Sequence, residues 1–152
     1  MKLSTKSRYG LKAILDIALY AGDGTVSISE ISDRTKISVN YLEQLIPKLR
    51  KAELVSSIRG AWGGYKLAKS AKNISVGDIL RALEGDLALV NCVNDDNLNA
   101  CEVSGICVTK YVWQKVNESI INTVDNMMLS DLVEQSHSID PEGMIVEHKL
   151  PC

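Results

Sequence analysis

Three cysteines stand in a polar stretch, Cys92-x8-Cys101-x5-Cys107, among Asn, Asp, Glu, Ser and Gly. Thiolates are soft ligands that suit iron–sulfur clusters or zinc. Core cysteines usually lie in apolar periodic segments, and as buried hydrophobes these three would be misplaced. The spacing contains no C-x2-C pair, so a zinc ribbon is not expected. A three-cysteine zinc site with a fourth donor stays open. No phosphate loop or dinucleotide fingerprint is present, and both histidines, His137 and His148, fall in the tail. With no plausible Ser-His-Asp or Cys-His constellation, an enzyme is not expected. Histidines placed like these are more often surface residues than ligands.

A second group of side chains could read DNA. Ser38, Asn40, Tyr41, Glu43, Gln44 and Lys48 share one face of a helical segment whose other face is Leu42, Leu45, Ile46 and Leu49. Gln can read adenine, Glu can accept from cytosine N4, and Ser and Tyr suit phosphates. Phosphates repel Glu43, so it is expected to serve specificity more than affinity; the plain alternative is a surface acid that supports its helix. Lys6 and Arg8, at the start of the first helix, could clamp a phosphate. Arg59, at the base of a hairpin wing, is placed with Lys66 to reach the backbone or the minor groove. Trp62, at the wing tip, has two open readings: packed against the hairpin, or exposed near DNA.

Charge favours this second group. The net charge of −2 hides an asymmetry: residues 1–75 hold 13 Lys or Arg against 6 Asp or Glu, while residues 76–152 hold 4 against 13. The first half thus carries the charge of a nucleic-acid-binding domain, the alternative being a solvated basic face.

The elements that must position these groups follow from length and periodicity. The chain has 152 residues, 45% hydrophobic and 24% charged, which suits one domain with an oligomerisation appendage and excludes wholesale disorder. There is no Phe, so Leu, Ile and Val must fill the core. No apolar run approaches the roughly 18 residues of a membrane span. The opening MKLSTKSRYGLKAILDIALY carries charges through its apolar stretch and has no small-residue cleavage site, so it does not read as a signal peptide. A cytoplasmic, reducing location is therefore expected, where metal or redox chemistry is commoner for cysteine than disulfides.

A first helix is expected from Ser4 to Tyr20, with an apolar stripe of Leu11, Ile14, Leu15, Ala18 and Leu19. Ser27-x-x-Glu30 reads as a capping box for a short helix through Thr35, with Ile28 and Ile31 inward. Ser38 is a good cap for the third helix, and Pro47 inside it predicts a kink or a tightened last turn. Strands are expected over Leu54–Arg59 and Tyr65–Leu67, around Gly60, Gly63 and Gly64 at a tip needing positive φ. Ser75-x-x-Asp78 caps a fourth helix with Val76, Ile79, Leu80 and Leu83 inward and Gly85 at its end. After an aperiodic stretch, a helix of about 20 residues is expected from Val108 to Met128. Its stripe, including Val112, Trp113, Val116, Ile120 and Val124, is wider than a small domain can cover and predicts packing against a second copy. The tail after Gln135 reads as loose. The expected architecture is mainly α with a small β-hairpin wing: a winged helix-turn-helix at 1–73, a connecting helix at 74–88, a cysteine loop at 89–108, a dimerisation helix at 109–128 and a C-terminal segment at 129–152. In such a fold the third helix enters the major groove.

The strings MKLSTKSRYGLKAILDIAL, SVNYLEQLIPKLRKAELVSSIRGAWGGYKLAK and SVGDILRALEG resemble the Rrf-two family of bacterial winged-helix regulators. The likeness is close over about residues 1–90 and continues through the cysteine loop and the long helix. It implies a homodimer on double-stranded operator DNA, with contacts at Ser38, Asn40, Tyr41, Glu43, Gln44 and Arg59. It also favours a 2Fe–2S cluster on Cys92, Cys101 and Cys107, as in the cluster-bearing branches of the family rather than its cluster-free one. Two departures accompany the likeness. Five residues usually separate the first two family cysteines, and here there are eight. The fourth ligands of two branches, a His three residues past the last cysteine and an N-terminal Asp, align with Lys110 and Arg8. Asp95, Asp96, Glu102, His148 and Cys152, from the same or the partner subunit, remain as candidates.

The expected function is a cytoplasmic, dimeric transcriptional regulator, expected to be a repressor. It would sense iron–sulfur status, control cluster-assembly genes and meet cluster-assembly proteins. The alternatives are a regulator of the same class answering to nitric oxide, redox state or cysteine supply, and a metal-carrying interaction module that does not act on DNA. The basic first half speaks against the last.

Overall fold

The computed structural model describes residues 4–90, 93 and 106–139. Helix α1 (Thr5–Tyr20) starts at Ser4, whose Oγ accepts from the backbone N–H of Lys6 and Ser7. Its buried face is Ser7, Gly10, Ala13, Ile14, Asp16 and Ile17. This corrects the expected stripe, which coincides with it only at Ile14; Leu11, Leu15, Ala18 and Leu19 are half-buried flanks. The cause is the central position of α1, which touches four other helices and the wing and so turns its small residues to the closest neighbours. Gly10 lies against Leu83, where a Cβ would overlap the leucine side chain.

Helix α2 (Ile28–Thr35) carries the predicted capping box: Ser27 N–H donates to Glu30 Oε2 at 2.7 Å and Glu30 N–H to Ser27 Oγ at 3.2 Å. Arg34 fixes α2 on α1 through a two-pronged pair with buried Asp16, at 2.8 and 2.9 Å. Burial pushes the Asp16 carboxyl up, against the pull of Arg34. The guanidinium also lies 4.3 Å from the Tyr20 ring centroid. Lys36 turns the chain in the left-handed region, at φ 58°. Helix α3 (Val39–Lys51) then starts at Ser38, whose Oγ accepts from Tyr41 N–H at 3.3 Å. Leu42, Leu45, Ile46 and Leu49 are fully buried, as the periodicity predicts. Helix α3 runs through Pro47, and the tightening falls just beyond it: Glu53 N–H donates to Arg50 O and Leu54 N–H to Leu49 O, each at 3.0 Å, with Glu53 at φ 56°.

Strands β1 (Val55–Ile58) and β2 (Gly64–Leu67) form an antiparallel hairpin from Val55↔Leu67 to Ile58↔Gly64. The ladder is shorter than the expected strand at Leu54 and Arg59, and Arg59 lies at its tip end rather than its base. Of the tip glycines, only Gly60 takes positive φ, at 129°. Gly63 and Gly64 answer to crowding instead, since a Cβ would press on the Ile58 carbonyl or on the Val26 backbone. Val26 and Tyr65 exchange backbone hydrogen bonds of 2.9 and 2.8 Å, which tie the wing to the α1–α2 turn.

A 3-10 turn (Ala71–Asn73) leads to α4 (Val76–Glu84), with its capping box of Ser75 and Asp78 in place and Gly85 closing it at φ 89°. Val76, Ile79, Leu80 and Leu83 are buried. Helix α5 (Val108–Asn126) stops short of the expected Met128, because Met127 is extended and Met128 bridges to Ser75. Helix α6 (Leu129–Ile139) follows where a loose tail was expected beyond Gln135. Leu129 explains it: its side chain is fully buried and its N–H donates to Ile74 O at 2.8 Å. Among the described residues no helix is long and apolar enough to cross a membrane.

Candidate nucleic-acid interface and cysteine site

Burying the leucine face of α3 turns the opposite face outward. Ser38, Asn40, Glu43 and Gln44 are exposed on its N-terminal half. Tyr41 is half-buried, its ring edge-on to Tyr9 with centroids 5.7 Å apart. That contact brings the first turn of α1, with exposed Lys6 and Arg8, beside the start of α3. Lys48 is exposed on the same face, and its Nζ donates to Leu83 O at 3.3 Å, satisfying a carbonyl at the C-terminal end of α4. The wing carries exposed Arg59 at its tip end and half-buried Lys66 opposite Ser56. Trp62, which had two readings, is 94% exposed, while its carbonyl accepts from Thr25 Oγ1 at 3.1 Å. The arrangement is an outward helix face flanked by cations on α1 and on the wing.

Of the three cysteines, Cys92 and Cys101 lie outside the described residues, as do the fourth-ligand candidates Asp95, Asp96, Glu102, His148 and Cys152. Cys107 is half-exposed at the N-cap of α5, its sulfur 3.1 Å from Thr109 Oγ1. The Thr109 hydroxyl first, and then the Lys110 backbone N–H, hold the thiol below its ordinary range. A thiol at a helix N-terminus whose neighbours ease its ionisation fits the soft-donor chemistry of an iron–sulfur group.

Helix α5 leaves its apolar side largely uncovered. Val112 is 51% and Val116 40% exposed; Trp113 is exposed as well, and Ile120 and Val124 are half-buried. Val116, Ile120 and Val124 line an open groove of about 460 Å³ with Lys115, Ser119 and Thr123. The buried residue of α5 is Asn117, whose Oδ1 accepts from Leu89 N–H at 3.2 Å, joining α5 to the start of the cysteine loop. Near its other end, Asp125 accepts from Arg81 of α4 at 2.7 Å. Sequence reading missed both residues. The available signal for Asn117 was a single amide within the apolar row Trp113, Asn117, Ile121.

A tri-helical unit with an outward third helix and a hairpin wing, followed by a long uncovered helix, defines a winged helix-turn-helix DNA-binding protein. Residues 3–135 match the Rrf2 family, described as an iron-dependent transcriptional regulator. The chain therefore belongs to the Rrf2 family, and it is a DNA-binding transcriptional regulator rather than an enzyme. It is 36% identical over 149 residues to the HTH-type transcriptional regulator IscR of Klebsiella pneumoniae, covering 98% of this chain and 90% of that one. Among solved structures, IscR of T. potens is 42% identical with a TM-score of 0.74, covering 91% of this chain and 90% of that one. CymR, the global cysteine regulator of B. subtilis, is 36% identical with a TM-score of 0.74, covering 89% and 98%.

Proposed function

We propose that the protein works in the cytoplasm as a homodimer on operator DNA and represses genes of iron–sulfur cluster assembly according to cluster supply. The observation that carries this reading is the division of α3 into a fully buried leucine face and an exposed polar face, in a chain similar to IscR over almost all its length. In each subunit Asn40, Glu43 and Gln44 read base edges, while Ser38, Tyr41, Lys6 and Arg8 meet phosphates. Arg59 and Lys66 extend the contact from the wing. Lys48, exposed on the same face of α3 and bonded to the end of α4, adds a further phosphate contact. Val112, Trp113, Val116, Ile120 and Val124 pack α5 against its mate, a covering their exposure calls for.

Cys92, Cys101 and Cys107 would hold a 2Fe–2S cluster, with the fourth donor from Asp95, Asp96, Glu102, His148 or Cys152 of the same or the partner subunit; when bound, the cluster would supply an occupancy that follows iron, sulfide and oxidant. The place of Cys107 at the N-cap of α5, with its sulfur beside Thr109 Oγ1, supports this assignment. Because Asn117 and Arg81–Asp125 connect α5 to the cysteine loop and to α4, convergence of the cysteines biases how the winged units sit on the dimer. Likeness to CymR, at the same TM-score as IscR, supports a second reading in which the signal is cysteine supply and the thiols carry no cluster.

Anaerobic purification followed by an absorption spectrum and iron and sulfide assays separates the two. We expect a coloured protein with two irons and two sulfides per subunit, lost in Cys92→Ala, Cys101→Ala and Cys107→Ala variants that stay folded dimers. A colourless protein, with or without zinc, overturns the cluster reading. Identical operator profiles for holo protein, apo protein and the three variants overturn the sensor mechanism.

A further inference from the structure

We propose that Trp62 is an apolar DNA contact, lying in the minor groove beside each recognition helix and adding affinity that does not depend on salt. This rests on the reading of α3 and the wing as the DNA interface, and it assigns a role to a residue that reading leaves unused.

The indole is 94% exposed, with Ile58 also exposed on the same hairpin. The turn beneath it is nevertheless well tied. The Trp62 carbonyl accepts from Thr25 Oγ1 at 3.1 Å, Gly63 N–H donates to Gly60 O at 3.0 Å, and the Val26–Tyr65 pair fixes the following strand. A large apolar side chain held out on a fixed backbone meets a partner at little ordering cost, because the loop is already in place.

Charge selects the partner. Residues 54–69 contain Arg59, Lys66 and Lys69 and no Asp or Glu, so the hairpin suits a polyanion. With α3 in the major groove, a wing tip reaches the neighbouring minor groove, where Arg59 meets the phosphate edge. The indole offers what that groove accepts: a flat apolar body for the sugar walls and one N–H donor for the acceptors of the floor. The two side chains at this tip therefore contribute in different ways. Arg59 releases counterions, whereas Trp62 removes apolar surface from water.

The test uses the full-length dimer and a 30-base-pair duplex enriched by the wild-type protein from a random-sequence pool. Affinities are measured between about 50 and 200 mM salt. Trp62→Ala is expected to lose roughly tenfold in affinity at every salt concentration, with an unchanged salt slope. Arg59→Ala is expected to lower the slope by about 1. Trp62→Phe should fall between wild type and Trp62→Ala. The fluorescence change on adding DNA should be larger in wild type than in Trp62→Ala, and the difference belongs to Trp62 because both proteins keep Trp113. Wild-type affinity in Trp62→Ala, a loss that vanishes at high salt, or an unaltered fluorescence response in Trp62→Ala overturns the Trp62 contact and leaves the DNA interface standing. Failure of the wild-type protein to enrich any duplex overturns the DNA interface and Trp62 with it. Because the indole is almost wholly solvated, Trp62→Ala should melt as wild type does, which keeps a binding loss interpretable.

Discussion

Helices α3 and α5 are both amphipathic, and their apolar faces meet opposite fates. In α3, Leu42, Leu45, Ile46 and Leu49 are wholly buried within one chain. In α5, Val112, Trp113 and Val116 remain exposed, and the residue that is buried is an amide, Asn117. The first face is covered by α1, α2, α4 and the wing; the second is uncovered within the chain, and its proposed cover is a second copy. Apolar spacing therefore shows that a helix has something to bury. Its neighbours decide whether the same chain or a second copy does the burying.

The comparison breaks most visibly if α5 is charged. Val116→Asp or Ile120→Asp would bury an unpaired carboxylate between subunits, and the dimer should dissociate. Two linked half-site contacts then become single ones, so operator affinity should fall by on the order of a hundredfold or more. Sedimentation and DNA titration measure both effects. A monodisperse dimer from both variants would remove this face from the interface. The matching change in α3 acts on folding rather than assembly. Leu45→Ala should cost about 2–5 kcal/mol of unfolding free energy, read by denaturant titration. A variant as stable as wild type would contradict the fully packed core around Leu45.

Local signals were the legible part of the molecule. The capping boxes Ser27/Glu30 and Ser75/Asp78, and the α3 stripe beneath its polar face, depend on residues three or four apart and fold as the sequence says. Long-range packing was not legible. The face α1 buries depends on a close approach of Gly10 to Leu83, more than seventy residues away. Helix α6 depends on Leu129 docking against Ile74, and Lys48 is drawn to Leu83 by a carbonyl its own helix does not contain. In the candidate site, residue type marks Cys107 as a soft donor, but only its place before Thr109 and Lys110 in α5 explains why its thiol is held below the ordinary range.

A subtler contrast lies within the polar face of α3. Glu43→Ala removes an acceptor and also a negative charge near phosphates, so overall affinity should hold or rise while discrimination relaxes. The expected loss is about 1–3 kcal/mol at the base pair Glu43 contacts. Binding profiles across a randomised operator pool measure it. Equal losses on every sequence would make Glu43 a helix-supporting surface acid.

The smallest expected effect sharpens the contrast between seams. Glu84 of α4 accepts hydrogen bonds from Ser4 Oγ at the N-cap of α1 and from Ser7 Oγ within it, closing a seam between the winged unit and the connecting helix. The Ser4 hydroxyl first, and then Ser7, hold its carboxyl below the ordinary value of 4.5. A carboxylate depressed by folding stabilises the protein fully above its unfolded-state pKa, and that stabilisation is lost as pH falls through the folded-state value. Glu84→Gln cannot titrate and accepts weaker hydrogen bonds. Wild type should therefore melt above Glu84→Gln near pH 6, with the gap closing as pH drops toward 3. Thermal midpoints across that range measure the gap; one that stays constant with pH would show that the seam does not depend on the Glu84 charge. Because Glu84 lies apart from the α5 face, the dimer dissociation constant should be the same for both proteins at pH 6. A weakened dimer would mean that the winged unit and the assembly helix are coupled through α4, the element that Arg81 also joins to Asp125 of α5.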